Sequence, residues 1–130
     1  MIVLDASAVV ALLTNSASAS SLMQALALRE DVFIAPHLLD IEVMSALRRL
    51  AAARLIELSQ VDQCLAGLAG LPVERCTHTP LLHRIWELRH NFTAYDATYI
   101  ALAETTGADL FTCDEKLSKG HRARVVVFAN

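Results

Sequence analysis

The chain has 130 residues, is 55% hydrophobic and carries a formal net charge of −3. This length suffices to bury a core without disulfides, so we predict one domain spanning residues 1–130. The three cysteines are odd in number and form no Cys-x-x-Cys pair, which argues against a disulfide framework and a zinc site. No apolar run reaches the about 18 residues of a membrane span, and no secretory leader is visible, so the sequence predicts a cytoplasmic protein.

Short apolar runs alternate with helical patterns along the chain. The first half contains a strand at 2–5, helices at 7–13 (with Ser7 as the N-cap) and 18–29, a strand at 32–35 and a helix at 38–53. The second half contains a helix from Ser59 to Leu68 with a Ser59–Asp62 capping box, a weak strand at 72–76, helices at 79–89 and from Thr93 to Gly107, a strand at 109–113, a short helix at 114–118 and a strand at 124–128.

This alternation predicts an α/β fold, a three-layer sandwich in which helices flank a central, mostly parallel sheet. In such sheets ligands bind outside the carboxyl ends of the strands. Two acidic residues, Asp5 and Asp114, follow predicted strands and are expected at that edge.

Asp5, Asp96 and Asp114 each have an ordinary explanation as helix caps, and Asp96 could form a capping box with Thr93. Glu42 lies at the edge of the apolar face of its helix, where an unpaired carboxylate is costly. Asp96 lies in a helix that is apolar nearly all round, with Tyr99 on its flank. Four carboxylates brought together would repel one another without a cation. An oxygen-only ligand set suits Mg²⁺, and Mn²⁺ can substitute for it.

These residues occur in stretches that together carry a resemblance. "IVLDASA" at the start, Glu42 after "APHLLDI", "YDATYIALAE", and "GADLFTCDEKL" follow one another in the order seen in PIN-domain ribonucleases. The chain is similar to the compact VapC toxins of bacterial toxin–antitoxin pairs, from Asp5 to the last strand. The resemblance implies a Mg²⁺-dependent endoribonuclease that forms a homodimer, is neutralised by a cognate antitoxin and cuts transfer or ribosomal RNA.

The resemblance also implies roles for individual residues. Asp5, Glu42, Asp96 and Asp114 correspond to its acidic quartet, with Asp5 and Asp96 as direct metal ligands and the other two acting directly or through water. Ser7 and Thr112 match the small hydroxyl residues that support the site through hydrogen bonds. Residues 55–92 carry no motif of the family, so substrate choice is expected to depend on such segments.

Two groups of cations are candidates for holding RNA. One lies directly after Asp114, and the other lies beyond Glu42 on its helix. They are Lys116, Lys119, Arg122 and Arg124, and Arg48 and Arg49. The helix around Trp86 could also face RNA, but its pattern favours an amphipathic helix with Trp86 partly in the core.

Two other functions stay open at this point. The chain could be a non-catalytic module that binds RNA or an antitoxin, with the acids serving only as caps. An aspartyl-phosphate phosphatase or phosphotransferase would also place Asp5 after the first strand, but Ser7 stands where the acid of the haloacid-dehalogenase pattern is expected.

Overall fold

The computed structural model describes residues 1–129, in which strands and helices alternate along the chain. The strands are β1 (Ile2–Leu4), β2 (Phe33–Pro36), β3 (Val73–Cys76), β4 (Asp109–Thr112) and β5 (Arg124–Val127). The α-helices are α1 (Ala6–Thr14), α2 (Ala19–Ala27), α3 (Leu38–Ala52), α4 (Leu58–Ala69), α5 (Leu82–Glu87) and α6 (Ala94–Thr106). Short 3-10 helices span Thr79–Leu81 and Glu115–Leu117.

The strands form one sheet in the order β3–β2–β1–β4–β5, and every pairing is parallel. This confirms the predicted α/β class and the central sheet. From β1 the chain moves outward to β2 and β3, and it then returns to the other side of β1 for β4 and β5. The connections therefore diverge between β1 and β4, which is where parallel sheets open a crevice at the carboxyl ends of their strands.

Helices cover both faces of the sheet. On one face, α6 packs across β1, β2 and β4 and also contacts α5. On the other face, α1 contacts α2, α3 and α4. β1 is buried along its whole length, as expected for a strand covered on both faces. Within residues 1–129 no single helix is long and apolar enough to cross a membrane, and α1 with α2 meets the length and composition criteria only as a pair bent by 107°.

The ends of two helices show how local chemistry sets their boundaries. Gly107 ends α6 in the left-handed conformation with φ 73°, as predicted. Asp5, rather than Ser7, is the N-cap of α1, because its Oδ1 accepts a hydrogen bond from the Ala8 amide at 2.9 Å. The expectation for Ser7 was wrong because its hydroxyl bonds across the sheet edge instead of along the helix.

Two expectations for the middle of the chain were also wrong. α4 begins one residue before Ser59: Glu57 is its N-cap, and its amide donates to Gln60 Oε1 at 2.8 Å, so the predicted Ser59–Asp62 capping box does not form. Trp86 on α5 is 64% exposed and does not contribute to the core. At the start of α4 several neighbouring polar residues could act as the cap, and on the amphipathic α5 several apolar residues could face inward. Sequence patterns do not distinguish these choices.

Candidate active site

The four acidic residues of the predicted site line one cavity of about 450 Å³ at the carboxyl edge of the sheet. Asp5 follows β1 directly, and Asp114 lies two residues beyond β4. Glu42 lies in the second turn of α3 and Asp96 in the first turn of α6. The four segments meet because β1 and β4 are neighbours, and α3 and α6 both begin at this edge.

Asp5 is held by three hydrogen bonds. Its Oδ1 accepts from the Ser7 hydroxyl at 2.7 Å and from the Ala8 amide at 2.9 Å, and its Oδ2 accepts from the Thr112 hydroxyl at 2.5 Å. Each carboxylate oxygen has two lone-pair sites. Oδ1 is therefore saturated, whereas Oδ2 keeps one site for a further partner.

The same two hydroxyls fix the chain that follows β4. Ser7 Oγ accepts a hydrogen bond from the Cys113 amide at 2.9 Å, and Thr112 Oγ1 accepts one from the Asp114 amide at 2.9 Å. The two hydroxyl oxygens lie 3.2 Å apart. Ser7 and Thr112 thus tie the first acid of the cavity to the segment that carries the last one.

Some of the acids take part in helix caps, as the ordinary explanation of the sequence predicted, and these acids also line the cavity. Asp114 Oδ1 accepts from the Lys116 amide at 3.0 Å at the start of a 3-10 helix. The Asp96 amide donates to Thr93 Oγ1 at 3.1 Å, which caps α6. Among residues 1–129, however, no return bond joins the Asp96 carboxylate to the Thr93 amide, so only half of the predicted capping box forms.

The electrostatics of the cavity disfavour ionised carboxylates. Burial raises the pKa of Asp5 to about 6, against the three hydrogen bonds and with a contribution from the Asp96 charge. Burial also raises the pKa values of Glu42 and Asp96, to which the charges of Asp96 and Asp114, respectively, add. Within residues 1–129 no Lys or Arg nitrogen lies within 4.0 Å of any of these carboxylates.

This donor set fits a hard divalent cation. All four side chains offer oxygen, Asp5 Oδ2 has a spare lone pair, and positive charge would relieve the repulsion between the carboxylates. In the part of the chain that the structure describes, no three His, Cys, Asp or Glu side chains are already grouped around one point as ligands. Holding an ion therefore requires side-chain adjustment, for which the less tightly bonded Glu42 and Asp96 are suited.

One of the predicted RNA-binding cations lines the cavity and another acts on it from nearby. Arg49 lines the wall, and its charge partly offsets the rise in the pKa of Glu42 that burial causes. The Lys116 charge likewise partly offsets the rise in the pKa of Asp96. Arg48 and Lys119 are exposed and do not line the cavity.

The other two cations lie elsewhere, which corrects the expectation that all four residues after Asp114 leave the acidic edge together. The Arg122 amide donates to Glu104 Oε2 at 2.8 Å, near the carboxyl end of α6. Arg124 is the first residue of β5 and donates from Nε to Asp109 Oδ1 at 2.7 Å, at the amino edge of the sheet. Their charges are engaged by acids away from the cavity.

Tyr99 lies at the cavity, although sequence patterns assigned it no role. It lies one helical turn after Asp96 on α6, its side chain is 1% exposed, and it lines the cavity. Its hydroxyl is the buried side-chain polar atom in residues 1–129 that has no hydrogen-bond partner. The only sequence signal was its spacing of three residues from Asp96, which places both side chains on one helical face.

Comparison with known proteins identifies the family to which this fold belongs. The PIN-domain family model matches residues 2–122. The chain is 41% identical to Ribonuclease VapC9 of Mycobacterium tuberculosis over 95% of this chain and 94% of that protein, and 37% identical to Ribonuclease VapC12 of the same organism over 99% and 100%. The chain therefore belongs to the PIN-domain family and, within it, to the VapC ribonucleases.

Solved structures support the fold alone. The crystal structure of Mycobacterium tuberculosis VapC20, described as a sarcin-ricin loop cleaving toxin, has a TM-score of 0.69 at 21% identity and covers 91% of this chain and 93% of its own. PAE2754 from Pyrobaculum aerophilum has a TM-score of 0.66 at 24% identity, with coverage of 96% and 90%. Both confirm the three-layer architecture that the alternating sequence pattern predicted.

Proposed function

We propose that this single-domain protein is a Mg²⁺-dependent endoribonuclease of the cytoplasm and the toxin of a toxin–antitoxin pair, with Mn²⁺ able to replace Mg²⁺. The observation that carries this proposal is the convergence of Asp5, Glu42, Asp96 and Asp114 from four separate segments in one cavity, without a bonded cation among residues 1–129. Membership of the VapC ribonucleases supplies RNA as the substrate class.

The side chains of the cavity divide into those that bind the cation and those that orient its ligands. When bound, Mg²⁺ supplies positive charge for the phosphate and lowers the pKa of an attacking water. Asp5 and Asp96 would hold it directly, and Glu42 and Asp114 would hold it directly or through water. Ser7 and Thr112 fix the rotamer of Asp5 through their hydrogen bonds and leave one Oδ2 lone pair unused.

The RNA backbone needs cations at the same edge, because the acids repel phosphate. Arg49 and Lys116 have the right positions, and we retain both as RNA-binding residues, with the exposed Arg48 and Lys119 as outer contacts. The RNA target is proposed to be transfer or ribosomal RNA.

A cognate antitoxin is proposed to inhibit by placing a basic residue beside the carboxylates. An arginine guanidinium can bond two carboxylate oxygens at once and so compete with the cation. The cavity also has an apolar wall formed by Val10, Ala11, Ala46 and Leu50, which suits an apolar antitoxin side chain next to that base.

The protein is proposed to act as a homodimer. A separate, mostly apolar cavity of about 360 Å³ lies between the starts of α3 and α6, and its rim exposes Ile41 by 68% and Tyr95 by 59%. Such apolar exposure is common at protein interfaces. An Ile41→Asp variant that stays dimeric in light scattering would exclude this face as the interface.

The two other functions are supported less well. A non-catalytic module does not require four carboxylates in one cavity, nor the raised pKa values of Asp5, Glu42 and Asp96. For a phosphatase with Asp5 as the nucleophile, the three hydrogen bonds accepted by its carboxylate reduce its reactivity, and Ser7 cannot act as the general acid.

A synthetic RNA cleavage assay tests the proposal. The parent protein should cut RNA with Mg²⁺ or Mn²⁺ and stop in EDTA, and Asp5→Asn should be inactive. Asp109→Asn provides a matched control, since it makes the same chemical change at the opposite edge of the sheet. RNA binding without cleavage in any metal would favour the binding module, and cleavage that persists in EDTA would contradict the metal requirement.

A further inference from the structure

The buried hydroxyl of Tyr99 calls for a partner. A hydroxyl withdrawn from water loses its hydrogen bonds to solvent, so nearly all such groups in proteins are bonded to something else. In residues 1–129 this hydroxyl forms no hydrogen bond of ordinary geometry, although the ring is packed at 1% exposure. A phenylalanine would fill the same space in α6 without that cost.

The hydroxyl lies beside the acids of the cavity. Burial raises the pKa of Tyr99, and Glu42 raises it further, first as a nearby hydrogen-bond acceptor and then through its charge, with contributions from Asp5 and Asp96. In return, Tyr99 opposes the burial that raises the pKa of Glu42. The phenol therefore stays protonated and can act as a hydrogen-bond donor toward Glu42.

Glu42 is the acid that most needs such a donor. Asp5 is fixed by three hydrogen bonds, and Asp114 accepts one from the Lys116 amide. Glu42 has a longer side chain and, among the described residues, forms neither a well-aligned hydrogen bond nor an ion pair. Tyr99 and Glu42 line the same cavity and are close enough to affect each other's pKa, so reorientation of the Glu42 carboxylate toward the hydroxyl would satisfy both groups.

We propose that Tyr99 is a positioning residue whose hydroxyl donates a hydrogen bond to the Glu42 carboxylate and so fixes its orientation when a divalent cation binds in the cavity. This inference rests on the proposed metal dependence. It assigns the orphaned hydroxyl a function that only the metal-loaded protein uses. The arrangement resembles the hydrogen bonds that orient metal ligands from outside the coordination shell in other proteins.

Mn²⁺ titration of the full chain by calorimetry tests the inference without relying on activity. Tyr99→Phe removes only the hydroxyl and should weaken Mn²⁺ binding by about 10- to 100-fold. Its free energy of unfolding in EDTA should be unchanged or higher, because no bond is lost in the metal-free state. Thr98→Val is the matched control: this hydroxyl on the same helix bonds to the Ala94 carbonyl at 2.7 Å, so its removal should leave Mn²⁺ affinity unchanged.

A double-mutant cycle with Glu42→Gln identifies the partner. If Tyr99 acts through Glu42, Tyr99→Phe should have little further effect on Mn²⁺ affinity in the Glu42→Gln background. A Tyr99→Phe protein with lower stability in EDTA but the parent's Mn²⁺ affinity would show a purely structural role and overturn the inference. Failure of the parent to bind Mn²⁺ would instead overturn the proposed function, and with it this inference.

A spectroscopic measurement covers the case in which Tyr99→Phe does not fold. The chain has two tyrosines, so Tyr95→Phe leaves Tyr99 as the only one. Addition of Mn²⁺ to that variant should perturb the near-ultraviolet tyrosine absorbance, since the phenol gains a hydrogen bond to a carboxylate. An unchanged tyrosine spectrum at saturating Mn²⁺ would overturn the inference.

Discussion

The two edges of one parallel sheet treat carboxylates in opposite ways. At the amino edge, burial disfavours ionised Asp109, but Arg29 Nη1 and Arg124 Nε each bond to it at 2.7 Å and leave its pKa below the ordinary value. The amino terminus and Arg29 likewise lower the pKa of Asp31. At the carboxyl edge, burial raises the pKa of Asp5 to about 6, and no Lys or Arg of residues 1–129 bonds to it.

This difference separates the carboxylates that stabilise the folded state from those that form the candidate active site. Paired carboxylates at the amino edge join β1, β4 and β5 and stabilise the ionised folded state. Unpaired carboxylates at the carboxyl edge oppose folding, and perturbed groups of this kind gather at functional sites. A bound metal cation is therefore expected at the carboxyl edge, where the carboxylates have no basic partner. None is needed at the amino edge, where arginines already pair with the carboxylates.

The largest expected effect is on catalysis. Asp96→Asn should lower the rate of RNA cleavage by more than about 100-fold, since even the outer partners of metal ligands cost 10- to 100-fold when they are lost. Asp109→Asn should cleave RNA at about the rate of the parent, because Asp109 lies at the other edge of the sheet. Single-turnover cleavage with excess protein measures both, and equal losses in the two variants would erase the distinction between the edges.

The second effect is on the stability of the metal-free protein. The folded-state pKa of Asp5 lies near 6 and its ordinary value is 3.8, so the folded state binds the proton more tightly than the unfolded chain does. The resulting stability is fully present below pH 3.8 and is lost as the pH rises through about 6. Asp5→Asn should therefore raise the free energy of unfolding at neutral pH by on the order of 2 kcal/mol.

Urea unfolding in EDTA checks this expectation. The advantage of Asp5→Asn should disappear below the ordinary pKa of aspartate, where the parent is protonated in both states. Added Mn²⁺ should stabilise the parent and leave the variant unchanged. A variant less stable than the parent at neutral pH would mean that the three hydrogen bonds accepted by Asp5 outweigh the cost of its burial.

A smaller effect of opposite sign is expected at the amino edge. The depressed pKa of Asp109 contributes stability above the ordinary value of 3.8, and that stability is lost as the pH falls through the lower folded-state value. Asp109→Asn should cost about 1 kcal/mol at neutral pH, since Asp109 is mostly buried but its bond to the exposed Arg124 is partly screened by solvent. The free energies of unfolding of parent and variant, measured with urea, should differ at neutral pH and converge at acidic pH.

The sequence was informative about the acids because periodicity and strand ends fix their positions. Asp5 had to lie at the carboxyl edge once the run before it formed a buried strand, and the helical spacing placed Asp96 on an inward face. Arg124 was misplaced because nearness to Asp114 in the chain was taken for nearness in space. A strand parallel to β4 must begin at the amino edge, so β5 carries Arg124 back to Asp109.

Other features depend on side-chain contacts that no local pattern encodes. Ser7 could have capped α1, and only its distance to the Cys113 amide across the sheet edge shows that it does not. The isolation of the Tyr99 hydroxyl likewise follows from what surrounds it. Sequence patterns predicted which elements meet, whereas the pairing of individual polar atoms required the assembled structure.

The smallest effect concerns RNA affinity and compares one cation from each edge. Lys116 lies close enough to Asp96 for its charge to offset part of the rise in the pKa of that acid, whereas Arg124 is bonded to Asp109 at the far edge. If Lys116 contacts one phosphate of a single strand, Lys116→Ala should flatten the dependence of log affinity on log salt by about 0.7, because one fewer counterion is released. Arg124→Ala should leave that slope unchanged. Filter binding over a range of salt, in an Asp96→Asn background that prevents cleavage, measures both slopes. A change caused by Arg124→Ala alone would move the RNA path to the amino edge and contradict the contrast between the two edges.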